Sequence, residues 1–437
     1  MAGTFHSPRV CFVTLGCAKN EVDSDRMKRQ AAAAGFVPVN DALEADAIVV
    51  NTCSFIEAAT EESLETIFEL SDIERPSGKR VPLVVAGCMP ARYGDELEGE
   101  LTEAAAFVPC SKEDDIATVL SRVLDTDCSA RPTDAGEALP SGEDASYFAY
   151  VKISDGCDRF CSFCTIPYIR GRYRSFSFDA IAAEVKRAVA SGAKEIVLIA
   201  QDTGRWGEDF EEPSTLARLV SSLAETFPTT WFRVMYLQPE GVTDELLDAV
   251  SSYENVANYF DIPLQHVQPS LLRAMNRTGS RSEFEALLDR IRNRVRGVSL
   301  RTTLIAGFPG ESEEDFEALC DFVEEAGFDY VGVFPYSREE GTRAARMDGQ
   351  IDEDVKRERA QVLRDVADAV CTARVAERTG STMDVLVLGR EEDGQLFGRA
   401  MCQAPDVDGV VYLEKGEPGQ IVTVTIGDTL LYEMEAE

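Results

Sequence analysis

Three cysteines lie within eight residues of this chain, directly after the apolar segment 148–153. Cys157, Cys161 and Cys164 have the spacing CxxxCxxC, and no fourth cysteine or histidine is near them in the sequence. A closed structural zinc site needs four protein ligands. Three thiolates suit an iron–sulfur cluster that leaves one iron open to a substrate or cofactor. We therefore predict a reaction centre at this position.

The size and cysteine content of the chain limit the class of protein. At 437 residues it is too long for one ordinary domain, and its hydrophobic content of 44% is enough for well-packed cores. It has no apolar run of about 18 residues, and its first nine residues do not form a signal peptide. We expect a cytoplasmic protein without a membrane partner, in which 12 cysteines indicate metal or redox chemistry before disulfides.

The chain is strongly acidic, with 43 basic and 78 acidic residues and a net charge of −35. Tight, non-specific binding to nucleic acid requires a basic surface, so direct nucleic-acid binding is not expected. The charge fits a basic protein partner. It equally fits an acidic proteome that keeps its proteins in solution.

An alternation of strand-like and helical segments predicts an α/β fold with several domains. In residues 8–124 we predict buried parallel strands at 10–15, 47–50 and 83–86, which together indicate an open parallel α/β sheet. Residues 125–146 contain no aromatic residue and little that could be buried. They are predicted to be a linker.

The remaining sequence predicts two further domains. Residues 147–378 contain strand candidates that are followed by helical patterns, at 148–153, 195–200, 231–237, 256–262, 300–306 and 330–334. Six such units suit an open, partial β/α barrel better than a closed eightfold one. From 379 to 437 the pattern changes to short strands separated by glycines, which predicts a small OB-like β-barrel.

A second set of cysteines follows the strands of the first domain. Cys17, Cys53 and Cys88 each lie just past the end of a predicted strand, and such ends lie side by side in a parallel sheet. Gly16 and Gly87 precede two of them and would let the backbone approach a bulky ligand. The alternative is three buried apolar cysteines. We predict a second cluster and assign no role to Cys11, Cys110, Cys128, Cys320, Cys371 and Cys402.

The CxxxCxxC loop resembles the signature of radical S-adenosylmethionine (SAM) enzymes. The resemblance implies that SAM chelates the open iron and is cleaved to a 5′-deoxyadenosyl radical. Phe163 matches the aromatic residue usually found before the last cysteine, which implies packing on adenine. Residues 303–311 resemble the superfamily's GxIxGxxxE-type strand without its leading glycine, and this implies cofactor contacts for Gly307 and Glu311. Glu311 could instead cap the helix that follows.

From about residue 8 to its end, the chain looks like a methylthiotransferase. The segments 14–20, 51–55 and 86–88 are close to that family's N-terminal signatures. The resemblance implies an N-terminal methylthiotransferase domain, a radical SAM core and a C-terminal TRAM barrel. It also implies two 4Fe-4S clusters, with SAM as both radical source and methyl donor.

The choice of substrate depends on other residues. Gln201-Asp202-Thr203 resembles the RimO-type branch, which modifies an aspartate of small-subunit ribosomal protein S-twelve, whereas the tRNA-modifying MiaB type usually has Asn after that Gln. Segments 261–266 and 336–342 also resemble the RimO type. Residues 381–437 have twelve acidic and three basic side chains, which suits a basic ribosomal protein better than RNA.

We therefore predict an enzyme that adds a methylthio group to the β-carbon of an aspartate in S-twelve. The cluster on Cys157, Cys161 and Cys164 would generate the radical, and the cluster on Cys17, Cys53 and Cys88 would present the sulfur. The expected partners are S-twelve or the small ribosomal subunit, an electron donor such as flavodoxin or ferredoxin, and a sulfur donor.

Three alternatives remain open at this level: a tRNA adenosine methylthiotransferase, a non-catalytic iron–sulfur scaffold or electron carrier, and a zinc-binding interaction protein.

The roles of several polar residues are open as well. Gln201 lies at a predicted strand end and is a candidate cofactor-binding residue. Arg170, Arg172 and Arg174 could bind an acidic group or form one solvent-facing edge. His266 could face the pocket or be a hydrogen-bonded structural histidine.

Overall fold

The computed structural model describes residues 7–75, 78–126 and 146–437. Nearly all of the predicted linker, including Cys128, therefore lies outside the described residues. The described chain divides into two compact units. The first contains the residues before 127 together with 156–158 and 164–173, and the second contains the rest.

The first unit is built on a parallel sheet of five strands, β1 (Arg9–Thr14), β2 (Val37–Val39), β3 (Ala47–Thr52), β4 (Leu83–Gly87) and β5 (Ala104–Pro109). The strand order is β2-β1-β3-β4-β5. Apolar cores cover both faces of the sheet. The helices of this unit are α1 (Ala18–Ala33), α2 (Glu57–Ser71), α3 (Cys88–Glu100), α4 (Ile116–Val123) and α5 (Ile166–Ile169). The predicted parallel sheet is thus confirmed, and it has two edge strands, β2 and β5, beyond the three predicted.

The second unit begins with an open β/α barrel. Its parallel strands are β6 (Phe148–Lys152), β9 (Glu195–Ile199), β10 (Trp231–Val234), β11 (Tyr259–Asp261), β12 (Ser299–Ala306) and β13 (Tyr330–Pro335), and a short antiparallel pair is formed by β7 (Ser154–Asp155) and β8 (Arg174–Ser175). A parallel bridge between Phe232 and Val256 links the two three-stranded sheets. Within the described residues β13 does not pair with β6, so the predicted open barrel is confirmed.

Helices cover the outer face of this barrel, namely α6 (Phe178–Ala190), α7 (Leu216–Thr226), α8 (Asp244–Ser252), α9 (Pro269–Ala274), α10 (Arg281–Arg294), α11 (Glu313–Ala326) and α12 (Glu353–Ala376). Alternate strand residues, such as Ile196 and Leu198 of β9, pack into the apolar core on this side. Because side chains alternate along a strand, the residues between them point to the inner face. The charged inner-face residues are Lys152, Glu195, Arg233, Asp261 and Arg301.

The last part of the second unit is a small closed barrel with strand order β14-β15-β16-β18-β17. Its strands are β14 (Thr382–Arg390), β15 (Leu396–Ala400), β16 (Val411–Leu413), β17 (Ile421–Leu430) and β18 (Glu433–Ala436). The predicted C-terminal β-barrel is therefore confirmed. No helix of the described chain is both long and apolar enough to cross a membrane.

Buried ion pairs join the two barrels on the inner face of the core. Glu195, the first residue of β9, accepts from Arg233 at 2.8 Å and from Arg399 of β15 at 2.5 Å. Arg301 of β12 pairs with Asp261 at 2.9 Å and lies 3.6 Å from Asp408 of the small barrel. The C-terminal barrel thus contributes charged groups to the inner face of the core.

Candidate active site

The sheet of the first unit brings three predicted ligand residues to one edge. Cys53 and Cys88 directly follow β3 and β4, whose last residues, Thr52 and Gly87, are register partners. Cys17 precedes the first turn of α1, shortly after the end of β1. Burial raises the pKa of Cys53, and the nearby Cys88 and Cys17 raise it further, as expected for neighbouring thiols. The three cysteines therefore lie in one region of the first unit, as their positions after the strand ends predicted.

The glycines before Cys17 and Cys88 lie in close contact with neighbouring protein atoms. Gly16 has a φ of +93°, and a Cβ at this position would lie 2.5 Å from the Cβ and 2.9 Å from the Sγ of Cys53. Gly87, at φ +91°, would place a Cβ 2.7 Å from the carbonyl oxygen of Thr52. A larger residue at position 16 would displace the Cys53 side chain, and one at position 87 would collide with the backbone of Thr52.

A fourth thiol belongs to the same edge and was left without a role on sequence grounds. Pro109, the last residue of β5, is the register partner of Gly87, so Cys110 follows its strand in the same way as Cys88. The Cys110 S–H donates to the Cys88 sulfur across 4.0 Å. A sequence signal existed, because Cys110 ends the run Ala106-Phe107-Val108-Pro109, but the alanines before it weaken the strand pattern.

A buried arginine lies beside these thiols. The Arg170 side chain is only 2% exposed and forms a 2.8 Å ion pair with the fully buried Asp23 of α1. Its guanidinium also donates to the Asn20 side-chain oxygen at 2.8 Å and lies 3.8 Å from the Cys88 sulfur. All of these residues belong to the first unit. A solvent-facing edge is therefore the wrong interpretation for Arg170.

The other two arginines of that series are exposed. Arg172 pairs with Asp158 at 3.3 Å and its side chain is 80% exposed. Arg174 lies over the Phe176 ring at 5.5 Å. Their positions fit the solvent-facing alternative.

The surroundings of the thiols affect their ionisation in opposite directions. The hydrogen bond from Cys110, together with the nearby Arg170 guanidinium, lowers the pKa of Cys88 to about 6. Burial raises the pKa of Cys53 to about 11. Thiolates are the form that binds iron, and a cationic neighbour stabilises them.

The donor set fits an iron–sulfur cluster in kind and number. Cys17, Cys53 and Cys88 are free thiols. Within the described ranges, no group of three Cys, His, Asp or Glu side chains is arranged as metal ligands. The fit therefore concerns the type and number of donors, namely three thiols at one sheet edge beside a buried cation, which are suited to a cluster with one open iron.

The CxxxCxxC loop is held by backbone contacts in each unit. In the first unit, the Cys157 N–H donates to the Gly171 carbonyl at 3.1 Å. In the second, the Ser162 N–H donates to Met275 at 2.9 Å, and the Asn276 amide donates to the carbonyls of Arg159 and Phe160. Phe160 has a φ of +50°, a sharp local bend. Cys157 is buried, while Cys161 and Cys164 are partly exposed.

Two of the residues predicted to contact SAM lie at the end of β12. The Gly307 N–H donates to both carboxylate oxygens of Glu311 at 3.0 Å. Glu311 also accepts from Arg359 at 2.8 Å and lies 3.4 Å from His266 Nε2. In the structure, the Glu311 carboxylate stabilises the backbone turn at Gly307 by accepting its N–H. The capping alternative for Glu311 is wrong, because Ser312 is the N-cap of α11.

The remaining predicted residues lie near the strand ends of the open barrel. Phe163 packs against an apolar cluster that includes Ile305 and Phe308. The Gln201 Oε1 is buried and has no hydrogen-bond partner among the described residues, as expected for an acceptor that meets a ligand. His266 Nδ1 accepts the N–H groups of residues 267 and 268, so this buried histidine has a structural role.

Lys152 is a further charged residue of this site that no sequence motif marked. It is the last residue of β6, on the inner face, and only 6% of its side chain is exposed. Its Nζ lies 3.1 Å from a carboxylate oxygen of Asp155. The alternation of β6, with Val151 facing the apolar core, is the signal that could have identified it.

An open six-stranded parallel barrel with a CxxxCxxC loop after its first strand defines a radical SAM enzyme. Family comparison agrees: residues 151–323 match the Radical SAM superfamily, residues 9–109 match the uncharacterized protein family UPF0004, and residues 379–437 match the TRAM domain. Membership of this superfamily implies a 4Fe-4S cluster and SAM as cofactors.

Two curated relatives extend over nearly the whole chain. The "Ribosomal protein uS12 methylthiotransferase RimO" of Trichlorobacter lovleyi is 41% identical, with 98% of each chain covered. The protein of the same name from Anaeromyxobacter sp. is 42% identical and covers 98% of this chain and 92% of its own. This chain belongs to the RimO family of radical SAM methylthiotransferases.

Among solved structures, the radical SAM methyltransferase TsrM from Kitasatospora setae is similar in fold. The TM-score is 0.57 at 14% sequence identity, with 78% of this chain and 74% of that chain covered. At this identity the likeness concerns the fold alone.

Proposed function

We propose that this chain transfers a methylthio group to the β-carbon of an aspartate in ribosomal protein uS12, in the cytoplasm. The observation that carries the proposal is the similarity to RimO relatives through all three parts of the chain. The acidic C-terminal barrel supports a basic protein partner. This barrel has a pocket with a volume of about 760 Å³, and the acidic residues that line it are Glu391, Glu392, Asp393, Glu414 and Glu435.

We further propose that Cys157, Cys161 and Cys164 hold the cluster that binds SAM, and that Cys17, Cys53 and Cys88 hold a second cluster. When bound, the clusters and SAM supply the radical, the sulfur and the methyl group. The working division of the chain is 8–124, 147–378 and 379–437. An electron donor of the flavodoxin or ferredoxin class and a separate sulfur donor complete the system.

The chain's own residues have defined roles in this proposal. Arg170 stabilises negative charge on the Cys88 sulfur, because its buried guanidinium lies 3.8 Å from that sulfur. The Glu311 carboxylate holds the Gly307 backbone at the end of β12. Gln201 offers its buried Oε1 as an acceptor to a bound group.

Lys152 is our candidate for binding the carboxylate of the target aspartate. The inner-face arginines Arg233 and Arg301 already face fully buried carboxylates. The carboxylate beside Lys152, that of Asp155, is 24% exposed, and Lys152 is at the end of its strand, where active sites of β/α barrels form. An aspartate substrate would supply the carboxylate that this lysine binds.

Replacing Lys152 with Met should weaken binding of a uS12 peptide that contains the target aspartate. A charge-assisted hydrogen bond contributes about 1.5–3 kcal/mol, so we expect KM to rise ~10–100-fold. Lys152→Arg should restore part of the loss. Steady-state kinetics with the peptide, and SAM cleavage without it, are the measurements.

Lys186→Met, an exposed substitution on α6, is the matched control. Both SAM and the target aspartate carry a carboxylate, so the effect of the substitution on peptide binding must be measured separately from its effect on SAM binding. An unchanged KM for the peptide, or a loss confined to SAM affinity, would contradict the assignment of Lys152.

The identity of the substrate can be tested in cells that lack this protein. Deleting this protein should remove from uS12 the mass of one SCH₃-for-H replacement, and intact-mass spectrometry of ribosomal proteins measures it. Restoring the wild-type chain should restore that mass. If uS12 is unchanged while a methylthio group disappears from tRNA adenosine, the tRNA alternative holds instead.

A further inference from the structure

Cys110 lies in one row with two of the proposed cluster ligands. Thr52, Gly87 and Pro109 are register partners across the adjacent strands β3, β4 and β5. Each is followed directly by a cysteine, so Cys53, Cys88 and Cys110 leave the sheet at the same level. Neighbouring strands lie about 4.8 Å apart, which brings successive members of this row within contact distance.

The structure shows a direct contact within this row. The Cys110 S–H donates to the Cys88 sulfur across 4.0 Å, and the Arg170 guanidinium lies 3.8 Å from the same sulfur. Cys88 is 4% exposed, so water has little access to its sulfur. In such an environment a hydrogen bond has a larger electrostatic effect than it has in water.

We propose that Cys110 is a positioning residue for the cluster on Cys17, Cys53 and Cys88, donating its S–H to the sulfur of Cys88. This inference rests on the proposed function, which assigns a cluster to those cysteines. A hydrogen bond to a ligand sulfur withdraws electron density and stabilises the more negative, reduced cluster. Cys110 therefore raises the reduction potential of this cluster.

The proposed chemistry favours a donor over a fourth iron ligand. Hydrogen-bonding partners of ligand sulfurs are a principal means by which a protein tunes such a cluster. A fourth thiolate would also close the iron that the proposed sulfur transfer needs open. Cys110 thus acts on the cluster through Cys88.

The test uses the full-length chain with Cys157, Cys161 and Cys164 replaced by Ala, so that only the N-terminal cluster is observed. After anaerobic reconstitution, iron content, electron paramagnetic resonance spectrum and midpoint potential are compared between this parent and its Cys110→Ala and Cys110→Ser derivatives. We expect full iron content in both. The potential should become more negative in Cys110→Ala, with a smaller shift in Cys110→Ser, whose hydroxyl still donates.

Cys320→Ala, which removes a partly exposed thiol of α11, is the control and should leave the potential unchanged. An unchanged potential and spectrum in Cys110→Ala would overturn the proposal. Loss of iron in Cys110→Ala would also overturn it, since Cys110 would then be a ligand. A parent that binds no cluster would contradict the proposed function itself, which is a distinguishable result.

Discussion

Replacing Cys17, Cys53 and Cys88 together with alanine should abolish methylthiolation of uS12 while SAM is still cleaved to 5′-deoxyadenosine. The three thiols lie on the sheet edge of the first unit, and two of them directly follow register-paired strands. Without them the proposed second cluster has no ligands. The CxxxCxxC loop keeps its own cysteines and its own backbone contacts.

Chromatographic measurement of 5′-deoxyadenosine and mass spectrometry of the uS12 peptide would report the two activities separately. We expect methylthiolated product to fall to background and cleavage of SAM to continue. The reciprocal variant, with Cys157, Cys161 and Cys164 replaced by Ala, should lose both activities. If the first variant also fails to cleave SAM while binding a full cluster, this division of labour is wrong.

A second large effect is expected on stability. Glu195 is 1% exposed and lies between Arg233 and Arg399, which are both nearly fully buried. Removing one partner of a buried ion pair costs roughly 3–5 kcal/mol, because the remaining charges stay buried without compensation. Glu195→Ala should therefore lower the free energy of unfolding of the second unit by about that amount.

Urea unfolding followed by tryptophan fluorescence measures this change. Trp206 and Trp231 are the only tryptophans of the chain, and both belong to the second unit. The control is Glu184→Ala, which removes a carboxylate from a partly exposed ion pair with Arg187. A surface change of this kind should stay within about 0.5 kcal/mol. Equal unfolding midpoints for Glu195→Ala and wild type would show that the buried network contributes little.

Local patterns were sufficient to predict the parts of the site that depend on strand ends. Continuous apolar runs predict buried parallel strands, and a cysteine directly after such a run must lie at the edge of the sheet. For this reason Cys17, Cys53 and Cys88 could be placed in one region from sequence. The six core strands followed from the same pattern, although β10 and β11 are shorter than predicted.

Other parts of the site could not be predicted because their contacts join distant parts of the chain. Arg170 follows the CxxxCxxC loop in sequence, yet it pairs with Asp23, which is 147 residues away. Cys110 was missed because alanines weaken the pattern of β5. Lys152 has no motif, and only the alternation of β6 within the folded barrel identifies its side of the sheet.

By itself, the sequence determined the order of the three domains, the two sets of cysteines and the family to which the chain belongs. These properties depend on short-range periodicity and on the spacing of a few residues. The tertiary structure decided which charged groups surround the thiols and which ones fill the inner face of the core. Glu195 and Arg399, for example, are separated by 204 residues in the sequence, and only the folded chain brings them together. Folding buries both charges, and a buried charge is stable only beside an opposite charge.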